Sequence, residues 1–339
     1  MTTSSPHAVH HARIYALDVL KVLSCLAVIL MHTMRRFDIN VTHYPFIYYL
    51  TRFAVPVFFM VAGALQLTKD SVTVRYCLLK ALRILAVIVG YVLLDFIFCC
   101  CKGRDITSIS YDSLYALYRR DFDIFWFFET LMEAYIVLPL LLLMFKRWST
   151  WLVVALGVFT VSLDAYDFVN IKFLDAADTI QKTHYWGRWL WLFYFVLGGY
   201  VFSRKIWQKF SKRCWACLTA AATLLADIYM YDMLYRSTQI VNGGFAYRSI
   251  FMVLWCVCLM CFFMKFGFER WAGIISFMGA LLVPMFALHM FSIRLVSGIS
   301  VFHHHVLMQY PAYIAIVCLT TLMSWVLSKL PVLKCLTRI

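Results

Sequence analysis

Two ionisable side chains inside an apolar run are the first candidates for chemistry in this chain. The stretch LKVLSCLAVILMHTMRRF (20–37) places Lys21 and His32 eleven residues apart in a segment greasy enough for a bilayer. Leaving water costs a lysine about 2.5–3.5 kcal/mol at mid-bilayer even on the lenient insertion scale, so such a group needs a reason to be there. On a helix, eleven residues turn through about 1100°, roughly 20° past three full turns, and rise about 16 Å. Lys21 and His32 therefore share one helix face. Asp18, three residues before Lys21, and Cys25 join the same stripe. A polar line of this kind belongs against the protein interior or a water-filled cavity, not against lipid. Histidine is the side chain best suited to accept and return protons near neutrality. The spacing alone leaves a second reading open: Asp18 and Lys21 pair to fix helix packing, and His32 lies at the outer interface near Arg35 and Arg36.

The elements that must hold this line are membrane helices. Of 339 residues, 63% are hydrophobic, 18% aromatic and only 14% charged, too little charge to cover a soluble domain of this size. The net charge of +14 could suggest nucleic acid, but there is no RNA-binding motif and no long basic face. The excess of Lys and Arg in cytoplasmic loops of membrane proteins explains it better. The 12 cysteines fall mostly in apolar runs such as FCCC (98–101) and WCVCLMC (255–261), where they act as small hydrophobes. Cys214-x-x-Cys217 has redox spacing but opens an apolar run beside a basic loop. Residues 1–12 are polar, and the span after them is too long for the apolar core of a signal peptide, so no cleavable leader is expected.

Apolar stretches of bilayer length fall near 15–36, 44–67, 77–101, 124–145, 149–163, 189–203, 214–235, 246–265, 273–296 and 306–328. The expected fold is all-α: a polytopic helix bundle of about ten spans, one membrane-embedded domain over 1–339 with no appended soluble domain. Loop cations set the orientation. With the N-terminus inside, Lys69, Arg75, Lys146, Arg147, Arg204, Lys205, Lys209, Lys212, Arg213, Lys265 and Arg270 all fall in the cytoplasm, and both termini do too. Asp105, Asp112, Asp121, Asp123, Asp164, Asp167, Asp175, Asp178 and Asp232 are then expected in outside loops.

Further polar groups sit in or beside the spans. Glu129 and Glu133, four apart, share a helix face and enter the fourth span from the outer side; they face an acceptor or pair with a buried cation. Asp95 and Asp227 invite the same reasoning. Arg52 opens the second span on the outer side, beside the end of the first. FHHH (302–305) suggests metal, but three consecutive histidines do not share a helix face and no carboxylate lies near in sequence, so no metal site is expected. Trp186, Trp189 and Trp191 read as an interfacial belt.

Several segments together resemble the membrane acyltransferase-3 family in its stand-alone form. Lys21-x10-His32, with Asp18 three residues before the lysine, is similar to that family's Arg/Lys-x10-His opening helix. TRFAVPVFFMVAGALQL (51–67) resembles its second helix, and Lys80-Ala81-Leu82-Arg83 its Arg/Lys-x-x-Arg element. DIFWFFETLMEAYIVLPLL (123–141), FYFVLGGYVF (193–202) and FALHM (286–290) resemble later elements in the same order. Lys21 stands where Arg is commoner, Ala62 where Ser is usual, and Phe286 where Tyr is usual.

The resemblance implies a bacterial inner-membrane enzyme. It would move an acyl group, usually acetyl, from cytoplasmic acyl-CoA to a hydroxyl of a cell-envelope glycan or lipid-linked sugar. His32 would be general base or transient acyl carrier. Lys21, with Asp18 as counter-ion, would orient the donor or stabilise charge at the thioester. Lys80 and Arg83 would receive the CoA phosphates, unless they are ordinary cytoplasmic flanking charges. Arg52, Glu129, Glu133 and His289 would face the acceptor. Acyl-CoA, the glycan or lipid-linked sugar and membrane lipid are the expected partners; nucleic acid is not, and no metal is required. Two other readings fit buried charges: a carrier or flippase acting without chemistry, and succinyl rather than acetyl transfer.

Overall fold

A computed structural model describes residues 13–37, 45–101, 125–174, 187–236, 244–303, 306–330 and 336–337. Ten helices order them: α1 Tyr15–Phe37, α2 Pro45–Tyr49, α3 Ala54–Gln66, α4 Val74–Cys101, α5 Trp126–Phe173, α6 Gly187–Ser203, α7 Lys212–Met230, α8 Ile250–Phe263, α9 Ala272–Val296 and α10 Gln309–Lys329. Seven helical segments among the described residues are long and apolar enough to cross a membrane, and Trp189–Ser203 and Ile250–Phe263 are shorter apolar helices. The all-helical membrane bundle read from the sequence is thus observed, with two differences in how it is cut.

The first difference is α5. It runs for 48 residues, about 72 Å if straight, more than twice the roughly 30 Å hydrocarbon core. The helical path is broken at Trp148 (φ −135°, ψ 36°), so α5 is two arms that correspond to the expected fourth and fifth spans. The second arm reaches Phe173, ten residues beyond the limit read from hydropathy. Asp164 and Asp167 therefore lie within a helix, not in an outside loop. Asp167 has no exposed surface and Asp164 only 8%. The two acids ended the apolar run in sequence, but they share one buried face with Thr160 and Asn170. The second difference is that the expected second span is α2 and α3, joined by a break at residues 50–53. Pro56 sits in the first turn of α3, where a missing N–H costs little.

Helix ends can be matched through their contacts. Arg36 at the end of α1 donates to Ser297 Oγ just past α9 (3.4 Å). Arg294 of α9 pairs with Asp95 of α4 (2.6 Å). So α1, α4 and α9 run parallel and finish at one end of the bundle. At the other end, Lys146 donates to the Asp70 carbonyl, and Arg204 donates to Ser149 Oγ (3.2 Å). The break at Trp148, the α3–α4 connection and the end of α6 thus gather Lys69, Lys146, Arg147, Arg204 and Lys205 at a basic end.

Close packing of α3 on α6 fixes the centre. A Cβ added to Gly63 would lie 1.7 Å from the Phe195 carbonyl oxygen, and one added to Gly198 would lie 2.0 Å from that of Met60. The two backbones touch at these points. Helices in lipid associate through such close approach rather than through hydrophobic exclusion. α1 packs among α3, α9 and α10, which places its polar stripe inside the bundle.

Candidate functional site

The N-terminal half of the α1 stripe is an ion cluster. Lys21 Nζ lies 2.5 Å from Asp18 Oδ1, and Arg13 Nε lies 2.5 Å from Asp18 Oδ2. The Asp18–Lys21 pair is as read from the sequence; Arg13 is an unforeseen third member. One carboxylate shared by two cations leaves local positive charge. Cys25, next on the stripe, is fully packed in the core.

Further along α1, half-buried His32 faces His289 of α9, with ring centroids 5.1 Å apart and planes tilted by 50°. His289 has no exposed surface. Its Nδ1 lies 2.5 Å from the Phe286 carbonyl oxygen. A carbonyl only accepts, so Nδ1 carries the proton, and in the neutral ring Nε2 keeps the lone pair. That Nε2 is buried without a hydrogen-bond partner among the described residues, an unused acceptor beside His32. Sequence brought His289 forward as an acceptor-facing residue; the fold makes it the neighbour of the first-helix histidine.

Arg52 completes this end. It lies in the break between α2 and α3, only 2% exposed, inside the bundle. Its Nη1 donates to Tyr247 Oη (2.9 Å), and its guanidinium stands 5.0 and 5.1 Å from the Tyr48 and Tyr247 ring centroids. Tyr247 belongs to the short 3-10 turn Gly244–Arg248, and Tyr194 Oη donates to its carbonyl oxygen (2.8 Å).

Aromatic rings wall this region. Phe58, Phe127 and Phe128 pack on Phe286, whose ring lies 5.7 Å from that of His289. Glu129 and Glu133 are half-buried on the α5 arm that carries Phe127 and Phe128. Trp191 is buried against Phe59, Trp126 and Tyr247, which corrects its reading as an interfacial anchor. Trp189 is exposed, and Trp186, His304 and His305 lie outside the described residues.

Lys80 and Arg83 are not brought to His32. They sit in the first turns of α4, at the basic end, with Lys80 half-buried and Arg83 exposed. Here a polar chain runs from Lys69 Nζ, which donates to Tyr76 Oη (2.7 Å), through Tyr76 Oη, which donates to Gln66 Oε1 (3.1 Å), to Gln66 Nε2, which donates to Tyr135 Oη (3.2 Å). Lys80 Nζ stands 6.0 Å from the Tyr76 ring centroid. Lys69 was set aside in sequence as a loop cation; its place beside Tyr76 and Lys80 makes it a third member of this cationic mouth.

Sequence reasoning missed one buried ion pair. Arg248 Nη2 lies 2.5 Å from Asp167 Oδ2, and Tyr229 Oη donates to both Asp164 oxygens (3.1 Å each). The rule that an intramembrane acid marks a functional site would have found both aspartates had the span been carried to Phe173. Of the remaining acids, Asp95 pairs with Arg294 at a part-exposed site, and Asp227 is buried in α7.

A polar site built across a helical membrane bundle from α1, the α2–α3 break and α9 matches a known class. The acyltransferase-3 family model, described as an acyltransferase domain, matches residues 14–329. The chain belongs to that family and is a membrane acyltransferase by membership. The comparison with curated proteins gives no match, nor does that with solved structures.

Proposed function

We propose that this protein transfers an acetyl group from cytoplasmic acyl-CoA to a hydroxyl of a cell-envelope glycan or lipid-linked sugar at the bacterial inner membrane. The observation that carries the reading is the acyltransferase match over residues 14–329. The stand-alone enzymes that acetylate enterobacterial common antigen are the kind of relative the sequence resembles. The two ends of the bundle support a division of labour. The basic end offers Lys69, Lys80 and Arg83 to the donor's phosphates, and Lys21 with Asp18 lies about 9 Å into α1. His32, about 25 Å along the same helix, stands with His289 and Arg52 where an acceptor would enter.

In the simplest mechanism His32 takes the proton of the acceptor hydroxyl as its oxygen attacks the thioester carbonyl. The tetrahedral intermediate collapses with cleavage of the carbon–sulfur bond. CoA leaves as a thiolate that receives the proton from His32. Cations near the thioester favour the charge that develops on its oxygen. His32 as a transient acyl carrier gives the same products in two steps.

The basic end belongs to the cytoplasm in this reading. Reporter fusions test that directly: residue 210 is expected inside and residue 298 outside, and the same side for both would overturn it. Lys80→Ala with Arg83→Ala is expected to raise the donor KM by about tenfold or more, since contacts between charged groups contribute roughly 1.5–3 kcal/mol. kcat at saturating donor should change less. Unchanged donor kinetics would return both residues to simple flanking charges. Mass spectrometry of surface glycans from cells with and without the gene identifies the acceptor; identical acylation in both would exclude this function.

A further inference from the structure

Asp167 and Arg248 form an ion pair in which neither residue has more than 8% of its surface exposed. Burying two charges is expensive, and replacing such a pair with well-packed apolar residues is often neutral or stabilising in soluble proteins. Stability alone is therefore a weak reason to keep it. What the pair touches offers another. Arg248 is the last residue of the Gly244–Arg248 turn, and its peptide neighbour Tyr247 holds Arg52 by a hydrogen bond and by its ring.

Three anchors converge on that turn. Asp167 of α5 holds Arg248. Tyr194 of α6 holds the Tyr247 carbonyl. Trp191 packs edge-on against the Tyr247 ring, centroids 5.3 Å apart. Beside Asp167, one turn earlier, Asp164 accepts from the Tyr229 hydroxyl, so two neighbouring carboxylates on one face of α5 hold two different elements. The chain of contacts thus runs Asp167–Arg248–Tyr247–Arg52, from the far arm of α5 to the end of the bundle where His32 lies.

We propose that the buried Asp167–Arg248 pair is a positioning device: it fixes the Gly244–Arg248 turn so that Tyr247 holds Arg52 in the acceptor subsite. The assignment of Arg52 to the acceptor rests on the function proposed above; the clamp itself does not. A flexible arginine head loses much rotamer freedom when held, and a site that orients a hydroxyl needs its partners fixed to within a fraction of an ångström. Four residues from three distant segments serve that purpose here.

The test uses Asp167→Leu/Arg248→Met, which removes both charges together so that neither is left buried and unpaired. Tyr247→Phe removes only the hydroxyl that holds Arg52. Detergent-purified full-length protein is treated with phenylglyoxal, and modification of Arg52 is mapped by mass spectrometry alongside the melting temperature. The expected result is slow modification in wild type and at least several-fold faster modification in both variants, with the double variant melting near wild type. Arg52 protected as in wild type in a folded double variant would overturn the proposal. So would faster modification only in proportion to lost melting temperature. If the double variant does not fold, Arg248→Lys, which keeps the charge but loses the planar fork, takes its place, with the same two outcomes.

A kinetic arm separates the clamp from the function it rests on. With acetyl-CoA as donor and p-nitrophenyl β-D-glucopyranoside titrated as acceptor probe, the double variant should show an acceptor KM raised roughly tenfold, the scale of one hydrogen bond to a charged group, and an unchanged donor KM. Faster Arg52 modification with no change in acceptor KM would leave the clamp standing and remove Arg52 from the acceptor subsite.

Discussion

Replacing His32 with alanine is expected to lower kcat/KM for acyl transfer by about a hundredfold to ten-thousandfold, the usual contribution of a positioned general base. Insertion, yield and melting temperature should stay close to wild type: among the described residues the ring contact of His32 is with His289, and α1 is packed by the apolar residues around it. His289→Gln should cost less. Its Nδ1–H is committed to the Phe286 carbonyl, which leaves Nε2 to orient His32 or receive a proton from it. Lys21→Arg should retain substantial activity, since the charge and the partner Asp18 are kept. Lys21→Ala should lose activity and leave Asp18 with Arg13 alone. Steady-state kinetics on protein normalised by folded fraction reads these effects. His32→Ala with wild-type kcat/KM would make the histidine a packing residue.

The second large effect concerns packing. Gly198→Val is expected to destabilise the protein by about 3 kcal/mol or more, at the upper end of what overpacking costs. Any Cβ there meets the Met60 backbone oxygen at 2.0 Å, and a carbonyl cannot rotate away as a side chain can. α3 and α6 must separate. With them go Arg52 just before α3 and Tyr194 and Trp191 on α6, which hold the same end of the site. Gly273→Val is the matched control, because an added Cβ at that position has no neighbour within 4 Å. Equal thermal stability of the two variants in detergent would show that the α3–α6 contact is not tight.

Much of this was legible in the sequence, for a physical reason. Lipid imposes helices and a minimum length, so apolar runs locate the elements and a charged residue within one stands out. The Asp18–Lys21 pair followed from helical spacing alone. Hydropathy failed where a span carries its own buried charges: Asp164 and Asp167 lower the local average and so ended the fifth span too early, although both face the interior and have partners. It did separate the two arms of α5 at the Trp148 break, but it could not show that the short turn after α7 brings Tyr247 to Arg52. That is a contact between residues 195 positions apart in the chain, and no local pattern encodes it. Lys69 was missed for the opposite reason. It looked like any cytoplasmic flanking cation until Tyr76 and Lys80 were placed beside it.

The central claim is the proposal that this bundle transfers an acyl group from acyl-CoA to an acceptor hydroxyl and needs His32 to do so. Membranes containing equal amounts of wild type or His32→Ala, incubated with radiolabelled acetyl-CoA, test it most directly. The expected result is acid-stable, alkali-labile label in the lipid-linked or glycan fraction of wild-type membranes, and none above the empty-vector background with His32→Ala. Equal label in both, or label in neither while the same glycan still crosses the membrane, would contradict the account and favour a carrier that acts without chemistry.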